Sequence, residues 1–200
     1  MLLTDVKGGV AYGAGFKQQD KDDLLRVHNN LRAQIALGKF TAKGVKMPAA
    51  ADMLKIKWNT TLESSAQAYA NKCVFEHSNT TGLGENLYMS WSSAADTIDG
   101  KGNKSATAWA NEFQEFGWSS LKFSIEVFDT GVGHATQMAW SDSSQMGCGA
   151  TLCSSGHNVI VVCQYTKPGN YLKTNAYTAG QTCSKCPTGT SCETSTGLCA

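Results

Sequence analysis

The chain has almost no charge of one sign in excess. Its 17 Lys and Arg face 16 Asp and Glu, a formal net charge of +1 over 200 residues. That balance argues against a dedicated nucleic-acid surface or a polybasic membrane patch. Long apolar runs are missing too, and none approaches the ~20 residues that a membrane-spanning helix needs. There is no internal repeat and no low-complexity tract. The His-Glu-x-x-His motif of helical zinc proteases is absent, as is any metal-finger spacing of Cys and His.

What is present in number is cysteine. Eight of them, an even count without finger spacing, favour disulfides and an oxidising compartment. Three acceptor sequons at Asn59, Asn79 and Asn103 agree with a secreted, glycosylated chain. The length suits one compact domain with a small appendage. Residues 1–19 read as an N-terminal tail, because Met1 to Gly9 is too poor in apolar residues and charged too early for a signal peptide. The expectation is a soluble, extracellular protein.

Apolar Leu24, Val27, Leu31 and Ile35 recur three or four residues apart before Gly38, so residues 22–37 predict an amphipathic helix carrying a structural His28. Leu54, Ile56 and Trp58 suggest a short extended segment. Thr60 to Glu63 then offers a capping box for a helix bearing Leu62, Ala66, Tyr69, Ala70 and Cys73. The glycines and polar residues between His77 and Gly84 suit a bend that turns His77 toward Glu85. Residues 104–117 predict a helix with Ala108, Trp109, Phe113 and Phe116 as core.

Alternation suggests a strand at residues 133–140, then strands at 146–153 and 158–163 joined by a hairpin at Ser154 to His157. Leu121, Phe123, Ile125 and Val127 alternate with polar residues as an exposed strand or a rim. Residues 173–200 lose nearly all apolar side chains while holding four cysteines, so crosslinks, not a core, must hold them. The domain limits read as 20–172 and 173–200.

Five motifs occur in order: Glu76-His77-Ser78, Gly84-Glu85-Asn86-Leu87, Trp109-Ala110-Asn111-Glu112, Gly133 to Trp140, and Cys163 to Tyr171. Together they resemble the CAP superfamily of cysteine-rich secretory proteins, antigen-five venom allergens and plant pathogenesis-related proteins. The Cys183-x-Lys185-Cys186 tail and the residues around Cys73 are most similar to nematode activation-associated secreted proteins. One departure is Ala135, where the family usually has an aromatic residue.

The resemblance implies an α+β fold, a three-layer α-β-α sandwich around a mainly antiparallel sheet, with a disulfide-rich C-terminal tail. It implies the pairs Cys73 with Cys153, Cys148 with Cys163, Cys183 with Cys192 and Cys186 with Cys199, which spacing alone does not select. It also places His77, Glu85, Glu112 and His134 around a central cavity. Two imidazoles from separate elements suit a borderline cation such as zinc, with the carboxylates as orienting groups.

The implied function is a secreted effector acting on host molecules, its partner a host protein or a lipid. The sequence does not choose between monomer and dimer. A metal-dependent hydrolase on the same residues is the alternative, with a Ser78, Glu85 and His134 triad as a weaker variant. The third reading is a sterol or fatty-acid carrier, although Met47, Met53, Met89, Met138 and Met146 form no ligand stripe and read as core filler. The aromatic group Trp109, Phe113, Phe116, Trp118, Phe123 and Phe128 reads mostly as core packing.

Overall fold

The computed structural model describes residues 12–200. In chain order its elements are β1 (Tyr12–Ala14), α1 (Gln18–Ala36), β2 (Thr41–Ala42), β3 (Val45–Lys46), β4 (Lys57–Trp58), α2 (Thr60–Ala70) and β5 (Gly84–Trp91). There follow α3 (Lys101–Phe116), α4 (Ile125–Phe128), α5 (Gly133–Met138), β6 (Gln145–Cys153), β7 (Asn158–Thr166), β8 (Cys192–Glu193) and β9 (Leu198–Cys199).

The sheet has the order β1-β6-β7-β5 with antiparallel pairing, and β4 joins β6 in parallel. β7 shows why the fold needs three layers. Val159, Val161, Cys163 and Tyr165 enter the larger core with α1 and α3, while Ile160 and Val162 enter a smaller one beneath α2. Strand alternation thus gives both faces an apolar surface to bury. α2 lies close enough to β6 that a Cβ at Gly147 or Gly149 would collide with helix backbone at Glu63 and Gln67.

α1 buries Leu24, His28, Leu31 and Ile35 along one face and stops where Gly38 takes a φ of 62°. His28 is a satisfied core residue, bonded to the Leu24 carbonyl and the Tyr165 hydroxyl at 2.8 Å each. Burial pulls its pKa down to about 4, so it is neutral at physiological pH.

Arg32, also fully buried, has no carboxylate partner among the described residues. Its guanidinium donates instead to the carbonyls of Leu54, Met138, Trp140, Ser141 and Ser143 at 2.5–3.0 Å. Burial lowers its pKa to about 9, which still leaves it charged at neutral pH.

Several local expectations are corrected. Residues 133–138 are the helix α5, not a strand. Ala135, Thr136, Gln137 and Met138 are all buried, and a short helix enclosed on every side leaves no helical period to read. The 121–127 alternation ends in α4, capped by the Ser124 hydroxyl, with Phe123 and Val127 buried and Ile125 exposed. α2 is capped by Asn59, whose carboxamide oxygen accepts from Thr61 and Leu62. Glu63 does not close the expected capping box, because it bonds the Trp58 indole at 2.6 Å and pairs with Lys21.

In α3, Trp109 and Phe113 are core, whereas Ala108 and Phe116 face solvent. Among the described methionines only Met89 is exposed; Met47, Met53, Met138 and Met146 are core filler. The stretch read as an N-terminal tail contains β1, which pairs with β6, and its residues 1–11 lie outside the described residues.

The C-terminal segment does more than hang from crosslinks. Tyr177 and Leu198 are buried in the main core, Trp118 meets Tyr177 edge-on, and the Cys199 amide donates to the Met53 carbonyl at 2.8 Å. Composition hid this because two large side chains suffice to anchor the segment. Disulfides join Cys73 to Cys153, Cys148 to Cys163, Cys183 to Cys192 and Cys186 to Cys199, and no described cysteine is free.

Arg32→Met removes the donors from a set of buried carbonyls and is expected to lower stability by ~3–5 kcal/mol. Urea unfolding of the oxidised protein checks this, and a loss below about 1 kcal/mol, the range of an ordinary surface change, would contradict it.

Candidate functional site

A cavity of about 410 Å³ is lined by His77, Glu85, Asn86, Glu112, His134 and Asn170 together with Phe128, Asp129, Gly131 and Gly133. The four residues named from the motifs therefore meet in one place. They form two imidazole–carboxylate pairs.

In the first pair, Glu85 is the second residue of β5 and stands opposite Gln164 of β7. Gln164 donates to one carboxylate oxygen at 3.0 Å, while the other accepts from the Ser78 amide at 2.8 Å and from His77 Nδ1 at 3.1 Å. The bend from His77 to Gly84 makes this possible. Burial alone would raise the Glu85 pKa, but the donors from His77, Ser78 and Gln164 outweigh it and hold the carboxyl down at about 2. The same hydrogen bond raises the His77 pKa above its ordinary value against a smaller opposing effect of burial.

In the second pair, Glu112 of α3 accepts from His134 Nδ1 at 2.5 Å and, with its other oxygen, from the Ala135 amide at 2.9 Å. That amide is one of the unpaired N–H groups in the first turn of α5, so a single carboxylate orients the imidazole and satisfies the helix end. Trp109 lies one turn before Glu112 and stacks on His134 with centroids 5.9 Å apart. The ring packed against His134 comes from α3, so the small Ala135 does not leave the imidazole unsupported.

Asn86, Gln137 and Asn170 complete the frame. Asn86 donates to the His134 carbonyl at 3.1 Å, and Asn170 donates to the Gly133 carbonyl and accepts from Thr136. Gln137 accepts from the Gly169 amide and donates to Ser143. Sequence reading passed over these as functional residues, although each sits inside one of the five motifs. Asp129, between motifs, carried no signal.

Both carboxylates engage Nδ1, so each imidazole keeps Nε2 for whatever enters the cavity. A carboxylate on Nδ1 is the usual partner that orients a metal-binding histidine and leaves its Nε2 as the donor. Among the described residues, the one group of three or more His, Cys, Asp or Glu side chains whose donor atoms all lie within 4.8 Å of one another is the sulfurs of Cys183, Cys186 and Cys199, away from the cavity. They belong to two disulfides and offer no thiolate.

A Ser78 triad is not assembled. The Ser78 hydroxyl bonds Thr80 at 2.9 Å and no imidazole reaches it. A separate groove of about 270 Å³ lies between α1 and α3, where Val27, Leu31, Phe40 and Ala110 alternate with Asn30 and Gln114. Of the sequons, Asn59 is the α2 cap, Asn103 lies in the first turn of α3, and Asn79 is exposed beside the cavity.

Histidine titration by NMR should place His77 above 6.5, and Glu85→Gln should move it down toward that value. By linkage, the raised His77 adds stability that is full below pH 6.5 and lost as pH rises through its folded value. The depressed Glu85 adds stability present above the ordinary carboxylate value of 4.5 and lost as pH falls toward 2. An unchanged His77 titration in Glu85→Gln would contradict the pairing.

The family model for the cysteine-rich secretory protein family matches residues 25–165. The Ancylostoma secreted protein of Ancylostoma caninum is 36% identical over 195 residues, covering 93% of this chain and 45% of that protein. This chain thus spans less than half the length of that relative. Among solved structures, NaASP2 with Zn2+ aligns with a TM-score of 0.84 at 36% identity, covering 93% of this chain and 97% of that one. BmVAL-1 aligns with a TM-score of 0.82 at 35% identity, covering 92% and 95%. The motif residues, the sandwich and these matches agree, and the chain belongs to the cysteine-rich secretory protein family, also called CAP.

Proposed function

We propose that this chain is a secreted nematode effector that binds host molecules through the His77, Glu85, Glu112 and His134 cavity, with a divalent cation such as zinc held between the imidazoles. The observation that carries this reading is that both imidazoles are oriented through Nδ1 by a carboxylate within one cavity. The similar NaASP2 was solved with Zn2+, which supports the choice of ion. Bound there, a divalent cation supplies a Lewis-acidic centre for a carboxylate or carbonyl of the partner.

Recognition fits the cavity better than turnover. A general base needs a carboxylate able to take up a proton near the working pH. Glu85 has both oxygens occupied by donors and a pKa held at about 2, which makes it a poor base. Glu112 has both oxygens occupied as well.

Calorimetry of chelator-treated protein tests the proposal. Zinc should bind at one site, lose binding in His77→Ala and in His134→Ala, and bind more weakly at mildly acidic pH, where protons compete for the imidazoles. No binding in the wild type, or peptide hydrolysis that Glu85→Gln abolishes, would overturn it.

A further inference from the structure

Three sequons are equal in the sequence and unequal in the fold. Asn59 has both polar atoms in use: its oxygen caps α2 and its amide donates to Gln145 at 2.8 Å. Asn103 accepts from Arg26, and the hydroxyl of its sequon partner Ser105 is buried and donates to the Gly102 carbonyl. Asn79, Thr80 and Thr81 are all exposed, on the bend that carries His77. Asn79 makes no side-chain hydrogen bond among the described residues. Its φ of 53° is a backbone state that Asn tolerates better than most residues.

The position of that bend gives a glycan a consequence. A second cavity of about 250 Å³ is lined by Asn79 and Ser78, and shares His77, Glu85 and Asn170 with the larger one. His77 is the open side of the site: its side chain is 58% exposed, against 7% for Glu85. The bend is also held in shape, because the Ser78 hydroxyl receives the Thr80 amide and the Leu83 amide donates to the Thr80 carbonyl. Whatever is attached at Asn79 therefore stays beside His77.

We propose that Asn79 carries an N-linked glycan that shields His77 and limits what reaches the cavity. The reaction joins Asn79 Nδ2 to the first sugar of a lipid-linked oligosaccharide diphosphate. The N–C bond forms, the sugar–oxygen bond to the diphosphate breaks, and the amide proton leaves with the lipid diphosphate. The glycan is bulky and hydrophilic. It covers the exposed ring of His77 and slows the approach of anything larger than a bare metal ion, small organic reagents included. This inference rests on the secreted reading above, since the donor belongs to the secretory route.

The test is expression of the full chain behind a secretion leader in eukaryotic cells, followed by glycopeptide mapping. Acylation of His77 by diethyl pyrocarbonate is then timed by mass spectrometry, with His157, at the far end of the β6–β7 pair, as internal control. Asn79 should be occupied, and His77 should react several-fold more slowly than in Asn79→Gln or Thr81→Ala, with His157 unchanged in all three. Thr81→Ala removes the sequon while leaving Asn79 in its left-handed conformation. An empty Asn79, or equal His77 rates with and without the glycan, would overturn the proposal. The readout needs no metal and the leader supplies the route, so a failed zinc titration or a different native destination would not mimic that outcome.

Discussion

The guanidinium of Arg32 is the group on which the rest of the arrangement depends. It is a full charge with no carboxylate bonded to it among the described residues, and its burial is tolerable because backbone carbonyls surround it. Two of those carbonyls, from Met138 and Trp140, lie at the end of α5 and just beyond it, where a cation opposes the helix dipole. Glu112 and Asn170 hold the opposite end. A six-residue helix too short to be stable alone is thereby fixed at both termini, and His134 with it.

A second line of polar contacts runs from the core to the cavity. His28 of α1 meets the Tyr165 hydroxyl, and Asn86, beside Glu85 on β5, holds the His134 carbonyl. Burial keeps His28 neutral and pushes the Tyr165 hydroxyl above its ordinary range, so neither group changes charge at neutral pH. The network is therefore a support whose geometry stays constant while His77 titrates. Disulfides act on the same parts: Cys73 to Cys153 ties the chain leading into the His77 bend to β6, and Cys148 to Cys163 joins β6 to β7.

How much of this could be read from the chain varied with the physics of each part. α1 announced itself because one face meets the core and the other meets water, and the β6–β7 hairpin did so through its long apolar strands. The four cavity residues were legible through motifs, since no composition or period links His77 to His134 across 57 residues of sequence. α5 was misread because all-round burial erases periodicity. The role of Arg32 was not legible in the sequence, because a buried cation satisfied by backbone carbonyls calls for no particular side chain elsewhere in the chain. The buried role of Tyr177 and Leu198 was lost for a related reason, as two anchors hardly alter the composition of a polar segment.

The central claim is that each cavity imidazole gives Nδ1–H to a carboxylate and keeps Nε2 for a ligand. Nitrogen-15 NMR of the histidine rings reads this directly at a pH where the rings are neutral. His77 and His134 should both appear as the Nδ1–H tautomer, and Glu112→Gln should weaken that preference at His134 alone. Finding either ring as the Nε2–H tautomer would contradict the account, because the nitrogen assigned to the ligand would then carry the proton.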